Sequence, residues 1–106
     1  MPRKPFEILF DAGVAEHLQA VESKYYSLIE DTIEQQLSFE PEVETRNRKP
    51  LARPSVFGTA WELRFGPANR FRVFYRFDSF TQAVRVLAIG VKSGNQLYVG
   101  GKPVEL

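Results

Sequence analysis

The stretch that most limits what this chain can fold into is WELRFGPANRFRVFYRFD, residues 61–78. Its first arm alternates Trp61, Leu63 and Phe65 with Glu62 and Arg64. Its second arm alternates Phe71, Val73, Tyr75 and Phe77 with Arg70, Arg72 and Arg76. Because successive side chains on a strand point to opposite faces, a period of two in both arms specifies two strands. Between them Gly66-Pro67-Ala68-Asn69 has the chemistry of a turn: proline fixes φ, while glycine and asparagine tolerate unusual backbone angles. The arms therefore pair as a β-hairpin. One face is aromatic and aliphatic and builds a core; the other carries most of the arginines and can meet an anion.

The rest of the chain supplies the partners such a hairpin needs. FEILF at 6–10 is short, apolar and β-prone, and reads as a first strand. Asp11 then offers a carboxylate as N-cap, and Val14, Leu18 and Val21 mark the apolar stripe of a short helix. His17 beside that stripe reads as a surface or partly packed histidine. Ser23 is placed to cap a longer helix in which Tyr26, Ile29, Ile33 and Leu37 share one face, with Glu30, Asp31 and Glu34 outward. Residues 38–58 lose all periodicity around Pro41, Pro50 and Pro54, and read as a long loop, functional or disordered, in which Leu51 and Phe57 can pin the chain to the core. After a connection at 79–82, AVRVLAIGV at 83–91 is apolar on both faces and reads as an interior strand. Leu97, Tyr98 and Val99 follow, then a Gly100-Gly101 turn and a short tail. The expected order is β-α-α-β-β-β with a tail: an α+β domain whose mainly antiparallel sheet packs on a two-helix hairpin.

Composition narrows the chemistry. At 106 residues and 43% apolar the chain is expected to form one domain, 1–106, with one modest core. With no cysteine there is no disulfide, thiolate nucleophile or cysteine metal site; with one histidine, a histidine metal centre or Ser-His-Asp triad is disfavoured. No cofactor and no metal are expected, and acid-base work falls to Glu, Asp, Lys, Arg or Tyr. No apolar run approaches the ~20 residues that span a bilayer, and MPRKP at the start leads into a strand without a cleavable apolar segment, so a cytoplasmic protein with no membrane partner is expected. The net charge of +1 conceals an asymmetry: residues 1–39 hold three Lys/Arg against seven Asp/Glu, while 46–92 hold ten against two. An acidic back and a basic front that favours phosphate would produce this, and so would charged strand edges blunted against aggregation.

Order and residues together resemble the RelE/ParE superfamily of bacterial toxins, the toxin halves of toxin–antitoxin pairs. The similarity covers nearly the whole chain: FEILF with the helix pair, KPL in the long loop, WELRFG followed by NRFRVFYRFD, then VRVLAIGVKSGNQLY. Relatives include ribosome-dependent mRNA endonucleases, gyrase inhibitors and members with no obvious chemistry. The resemblance to the ribonuclease branch implies metal-independent attack of a ribose 2′-hydroxyl on the adjacent phosphate, with mRNA on the ribosome as substrate and a cognate antitoxin as partner. DNA gyrase is the target implied by the other branch. By position, Arg72 resembles the arginine that faces the scissile phosphate, Lys92 a second cation, and Tyr98 the C-terminal tyrosine that stacks on a base or holds its hydroxyl near the phosphate. Where the best-known ribonucleases carry lysines, this chain has Ala60 and Glu62. Glu62 is either the replacement base or a partner that neutralises Arg72 or Arg64. Arg48, Lys49, Arg64 and Arg70 are expected to grip phosphate backbone. A protein-binding homologue without chemistry and a generic RNA-binding domain are the competing expectations.

Overall fold

The computed structural model describes residues 4–105; Met1 to Arg3, read above as part of the run into the first strand, and Leu106 lie outside them. Alternation in the two hairpin arms is realised as β3 (Trp61–Phe65) and β4 (Phe71–Asp78), paired antiparallel with Leu63 opposite Val73 and Arg64 opposite Arg72. Gly66 opens the turn at φ 81°, and a Cβ there would collide with the ring of Phe71, so only glycine fits. Ala68 and Asn69 also take positive φ, at 54° and 51°.

β5 (Ala83–Ser93) pairs with β4 along its whole length. Its first half also pairs in parallel with β1 (Glu7–Phe10), and its second half antiparallel with β6 (Gln96–Val99). This confirms it as an interior strand. Two edges were not expected. Arg48–Pro50, inside the supposed loop, forms β2 against β3, and Lys102–Val104, the supposed tail, forms β7 against β6. Three-residue strands carry too little pattern to register as a period, and both include a proline, which a sheet tolerates at its edge because no N–H is needed there. The sheet runs β2-β3-β4-β5-β6-β7, with β1 beside β5.

The helices are α1 (Val14–Gln19) and α2 (Tyr26–Leu37), the second preceded by a 3-10 turn at Ser23–Tyr25. Neither predicted cap is made. Gly13 and Tyr25 occupy the N-cap positions without side-chain bonds, and the Asp11 carboxylate instead pairs with Arg85 at 3.1 Å. The helical stripe itself is as read: Ile29, Ile33 and Leu37 are buried with Val14 and Val21 against Leu63, Phe65, Phe71, Val73, Tyr75, Val84, Val86 and Ile89.

A β-bulge explains why β5 is apolar on both sides. Register passes from Phe74 opposite Ala88 to Tyr75 opposite Val86, skipping Leu87, so that Val84, Val86 and Ile89 all reach the helix side. The opposite face has a small core of its own: Phe74, Ala88, Leu97 and Val99, covered by Leu51, Phe57 and Val104. Phe57 stacks on Phe74 with ring centroids 5.1 Å apart. The expectation of one core face and one free cationic face is therefore half right. On that second face Arg64 and Arg72 lie beside an apolar patch.

Candidate functional site

The site is built on the face away from the helices. Arg64 and Arg72 stand directly opposite each other across the β3–β4 ladder, a like-charge pairing that costs stability unless a counter-charge lies between. Glu62 is that counter-charge. One carboxylate oxygen accepts from Arg64 Nε at 2.6 Å and the other from Arg72 Nη1 at 3.4 Å. Glu62 is 3% exposed and Arg72 8%, so the pair is dry on one side, while Arg64 reaches solvent. Arg72 Nε also donates to the Asn69 carbonyl at 2.9 Å, which fixes the plane of the guanidinium.

Two adjoining clefts open on this arginine. One, about 560 Å³, is lined by Ala68, Arg70, Arg72, Val91, Lys92, Ser93 and Gly94. The other, about 400 Å³, is lined by Glu62, Arg72, Lys92, Asn95, Gln96, Leu97, Val104 and Glu105. Arg72 and Lys92 thus share both, and register puts Lys49 opposite Glu62 on the same face. A phosphate held between a half-fixed guanidinium and an exposed ammonium is the simplest occupant of such a place. Asn95 and Gln96, which line the second cleft, were not singled out in the sequence; nothing in their spacing marks them.

Three sequence-predicted residues go elsewhere. Tyr98 lies opposite Val91 in the β5–β6 ladder, whereas Lys92 lies opposite Leu97, so Tyr98 faces the helices and Lys92 the other side. The expected convergence of Arg72, Lys92 and Tyr98 does not occur. Arg70 stands at the end of the sheet, its guanidinium 5.9 Å from the Tyr25 ring centre, and lines clefts on both sides. Arg48 is 6% exposed and committed to the fold. It donates to the Gln36 carbonyl at 2.6 Å and to the Val43 carbonyl at 3.1 Å, tying the end of α2 to β2, and has no donor fork left for an RNA backbone. Beneath it, the buried Tyr75 hydroxyl donates to the Pro41 carbonyl at 2.8 Å, and burial pushes its pKa up.

His17 was read as a bland residue and proves to be a cap. Ile89 donates its backbone N–H to His17 Nδ1 at 3.3 Å, a bond that needs the neutral ring. Desolvation lowers the His17 pKa below 6.5, against a smaller upward pull from Glu16. Since the folded value is the lower one, the stability contributed by neutral His17 is complete above pH 6.5 and is lost as pH falls from there through the lower folded value. Urea midpoints measured between about pH 7.5 and about pH 5.5 are expected to fall more for the wild type than for His17→Asn; parallel curves would remove His17 from this role.

No group of three or more His, Cys, Asp or Glu capable of holding a metal occurs among the described residues, and no described helix is long and apolar enough to cross a membrane.

No protein-family profile and no curated protein matches the chain. Among solved structures, the toxin–antitoxin complex RelBE2 from Mycobacterium tuberculosis contains a chain that superposes with a TM-score of 0.69 at 22% identity, covering 86% of this chain and 95% of that one. The fold is RelE-like. At that identity the likeness speaks for architecture, and it agrees with the α+β order, the mostly antiparallel sheet and the helix pair read from the sequence. In this RelE-like frame the Arg72–Lys92 clefts lie on the face of the sheet away from the helices, beside the small second core.

Proposed function

We propose that this protein is the toxin of a type II toxin–antitoxin pair, a single 1–106 toxin domain acting in the cytoplasm on ribosome-bound mRNA as a metal-independent endoribonuclease. The observation that carries the reading is Arg72 and Lys92 sharing a cleft on a RelE-like fold, with Glu62 at its floor. RNA supplies its own nucleophile: the 2′-hydroxyl attacks the adjacent phosphorus as the bond to the 5′-oxygen breaks, giving a 2′,3′-cyclic phosphate and a free 5′-hydroxyl. Arg72 and Lys92 stabilise the added negative charge, and the Lys92 ammonium gives a proton to the leaving oxygen. Glu62 takes the proton of the 2′-hydroxyl, for which it must exchange one of its two arginine contacts.

The antitoxin has a place to dock on the other side. A groove of about 720 Å³ runs between β1 and the helices, lined by Phe6, Ile8, Val14, Leu18, Ile29 and Ile33, with Phe10 54% exposed at its edge. An amphipathic helix or an added strand would cover it.

Expression without a partner is expected to arrest growth and fragment messages, and Arg72→Ala to abolish both, through a rate loss of about 100- to 1000-fold, as when one transition-state donor is removed. A toxic Arg72→Ala protein would sink the reading. Two observations favour a second reading, a homologue that binds its antitoxin without cleaving: both Glu62 oxygens are already engaged, and Tyr98 lies on the opposite face from Lys92. Antitoxin binding with intact messages in the wild type would select it, and co-purification of gyrase would give that homologue a target.

A further inference from the structure

We infer that two copies of this chain pair through β1, antiparallel about a two-fold axis at Leu9, so that their sheets become one. The inference goes beyond the RNA reading and stands whether or not the chain cleaves, since β1 lies beside residues 83–86 and the clefts at the Lys92 end of β5. Three strands, β1, β2 and β7, pair on one side alone among the described residues. Two of them are blunted: β2 carries Lys49 and Pro50, and β7 carries Lys102 and Pro103, in each case a cation and a missing N–H that discourage further pairing. β1 carries neither. After Glu7 it is apolar, and Phe10 at its end is 54% exposed.

Backbone direction fixes what this edge offers. Glu7 and Asp11 donate their N–H groups inward, to the Gln82 and Val86 carbonyls at 2.8 and 2.9 Å, so by alternation those of Ile8 and Phe10 point outward. The outward N–H of Phe6 is already taken by the Ser38 carbonyl, and the strand ends at Phe10. An antiparallel pairing that uses both open residues sets Ile8 opposite Phe10 of the second copy and Leu9 opposite itself. That register is its own two-fold mate, as a closed dimer requires. Ile8 meets Phe10 on the helix side of the joined sheet and Leu9 meets Leu9 on the other, apolar pairs throughout. Charge agrees with a second copy as the occupant. Glu7 comes to lie opposite Asp11 of the second copy, and Asp11 already holds the half-exposed Arg85 guanidinium at 3.1 Å. One arginine therefore stands beside two carboxylates at each end of the pair. A strand of another protein would need to bring the same apolar residues and the same carboxylate; a second copy brings them by symmetry.

The test exploits a chain without cysteine. In full-length Leu9→Cys the two thiols face each other across the axis at a spacing a disulfide spans, whereas in Glu7→Cys they stand about 13 Å apart in the same register. Under mild oxidation Leu9→Cys is expected to form a covalent dimer at least about 10-fold faster than Glu7→Cys. Sedimentation equilibrium of the wild type should show monomer and dimer exchanging with a Kd of about 1–100 μM, as for a small interface. Phe10→Lys, at a side chain half out of the fold, should remove the dimer, and the Ile8 and Phe10 amides of the wild type should exchange more slowly as concentration rises. A wild type still monomeric at about 500 μM, equal oxidation rates for the two cysteine variants, or a dimer that survives Phe10→Lys overturns the inference. Amides protected by an added antitoxin and never by concentration would give the edge to that partner and overturn it too. None of these outcomes bears on RNA cleavage, which Arg72→Ala tests separately.

Discussion

Glu62→Ala is expected to destabilise the protein by about 3 kcal/mol, the lower end of the cost of stranding a buried charge. The physical reason is geometric. Arg64 and Arg72 face each other across a strand pair, and the carboxylate between them is the counter-charge that makes the pairing tolerable. Without it, the Arg72 guanidinium, one-tenth exposed, keeps only its bond to the Asn69 carbonyl. The lower end applies because the clefts admit water to one side of Arg72. Urea denaturation should show a lower midpoint with unchanged slope, and a loss under about 0.5 kcal/mol would mean that solvent already screens the two arginines. Glu62→Gln keeps the shape and separates two roles. It is expected to tighten RNA binding and steepen its salt dependence by about one unit, because a competing anion has gone, while cleavage is lost with the base. Cleavage at the wild-type rate would leave Glu62 a purely structural anion.

Phe74→Ala is expected to cost more, about 3–5 kcal/mol, with a fall in Tm on the order of 15–30 °C. Phe74 points away from the helices, to the side that alternation assigns to solvent, where a substitution would change stability by no more than about 0.5 kcal/mol. It is fully buried there, under Phe57 and against Ala88, Leu97 and Val99. Hydrogen exchange should show residues 51–58 losing protection first, since Phe57 and Leu51 hold that segment down. A loss under about 1 kcal/mol, or unchanged exchange in that segment, would mean that the second core contributes little.

These two residues also mark how far the sequence could be read. Alternation in residues 61–78 placed Glu62, Arg64 and Arg72 on one face correctly, and their contacts follow from the hairpin register. The Val73-Phe74-Tyr75 run broke that alternation and was the available sign of a face covered on both sides. Tyr98 was grouped with Arg72 and Lys92 by resemblance alone, and strand register separates it from them. The two-residue Gly94-Asn95 turn sets Ser93 opposite Gln96 and Lys92 opposite Leu97, which sends the next residue to the other side. Arg48 carried no sign of its fate, because its acceptors, the carbonyls of Gln36 and Val43, come from segments whose approach no local pattern encodes.

What the chain determined by itself is what depends on neighbours in sequence: period two in the hairpin, the helical stripe of Ile29, Ile33 and Leu37, and the glycine that the turn into Phe71 requires. Tertiary structure alone decided which cations remain available. Arg48 is spent on a helix end, Arg72 is shared with a carboxylate, Lys92 is left open, and the bulge at Leu87 brings both halves of β5 into one core. Strand register and burial are set by contacts between distant segments, and a charge acquires its role only when its counter-charges and its access to water are in place.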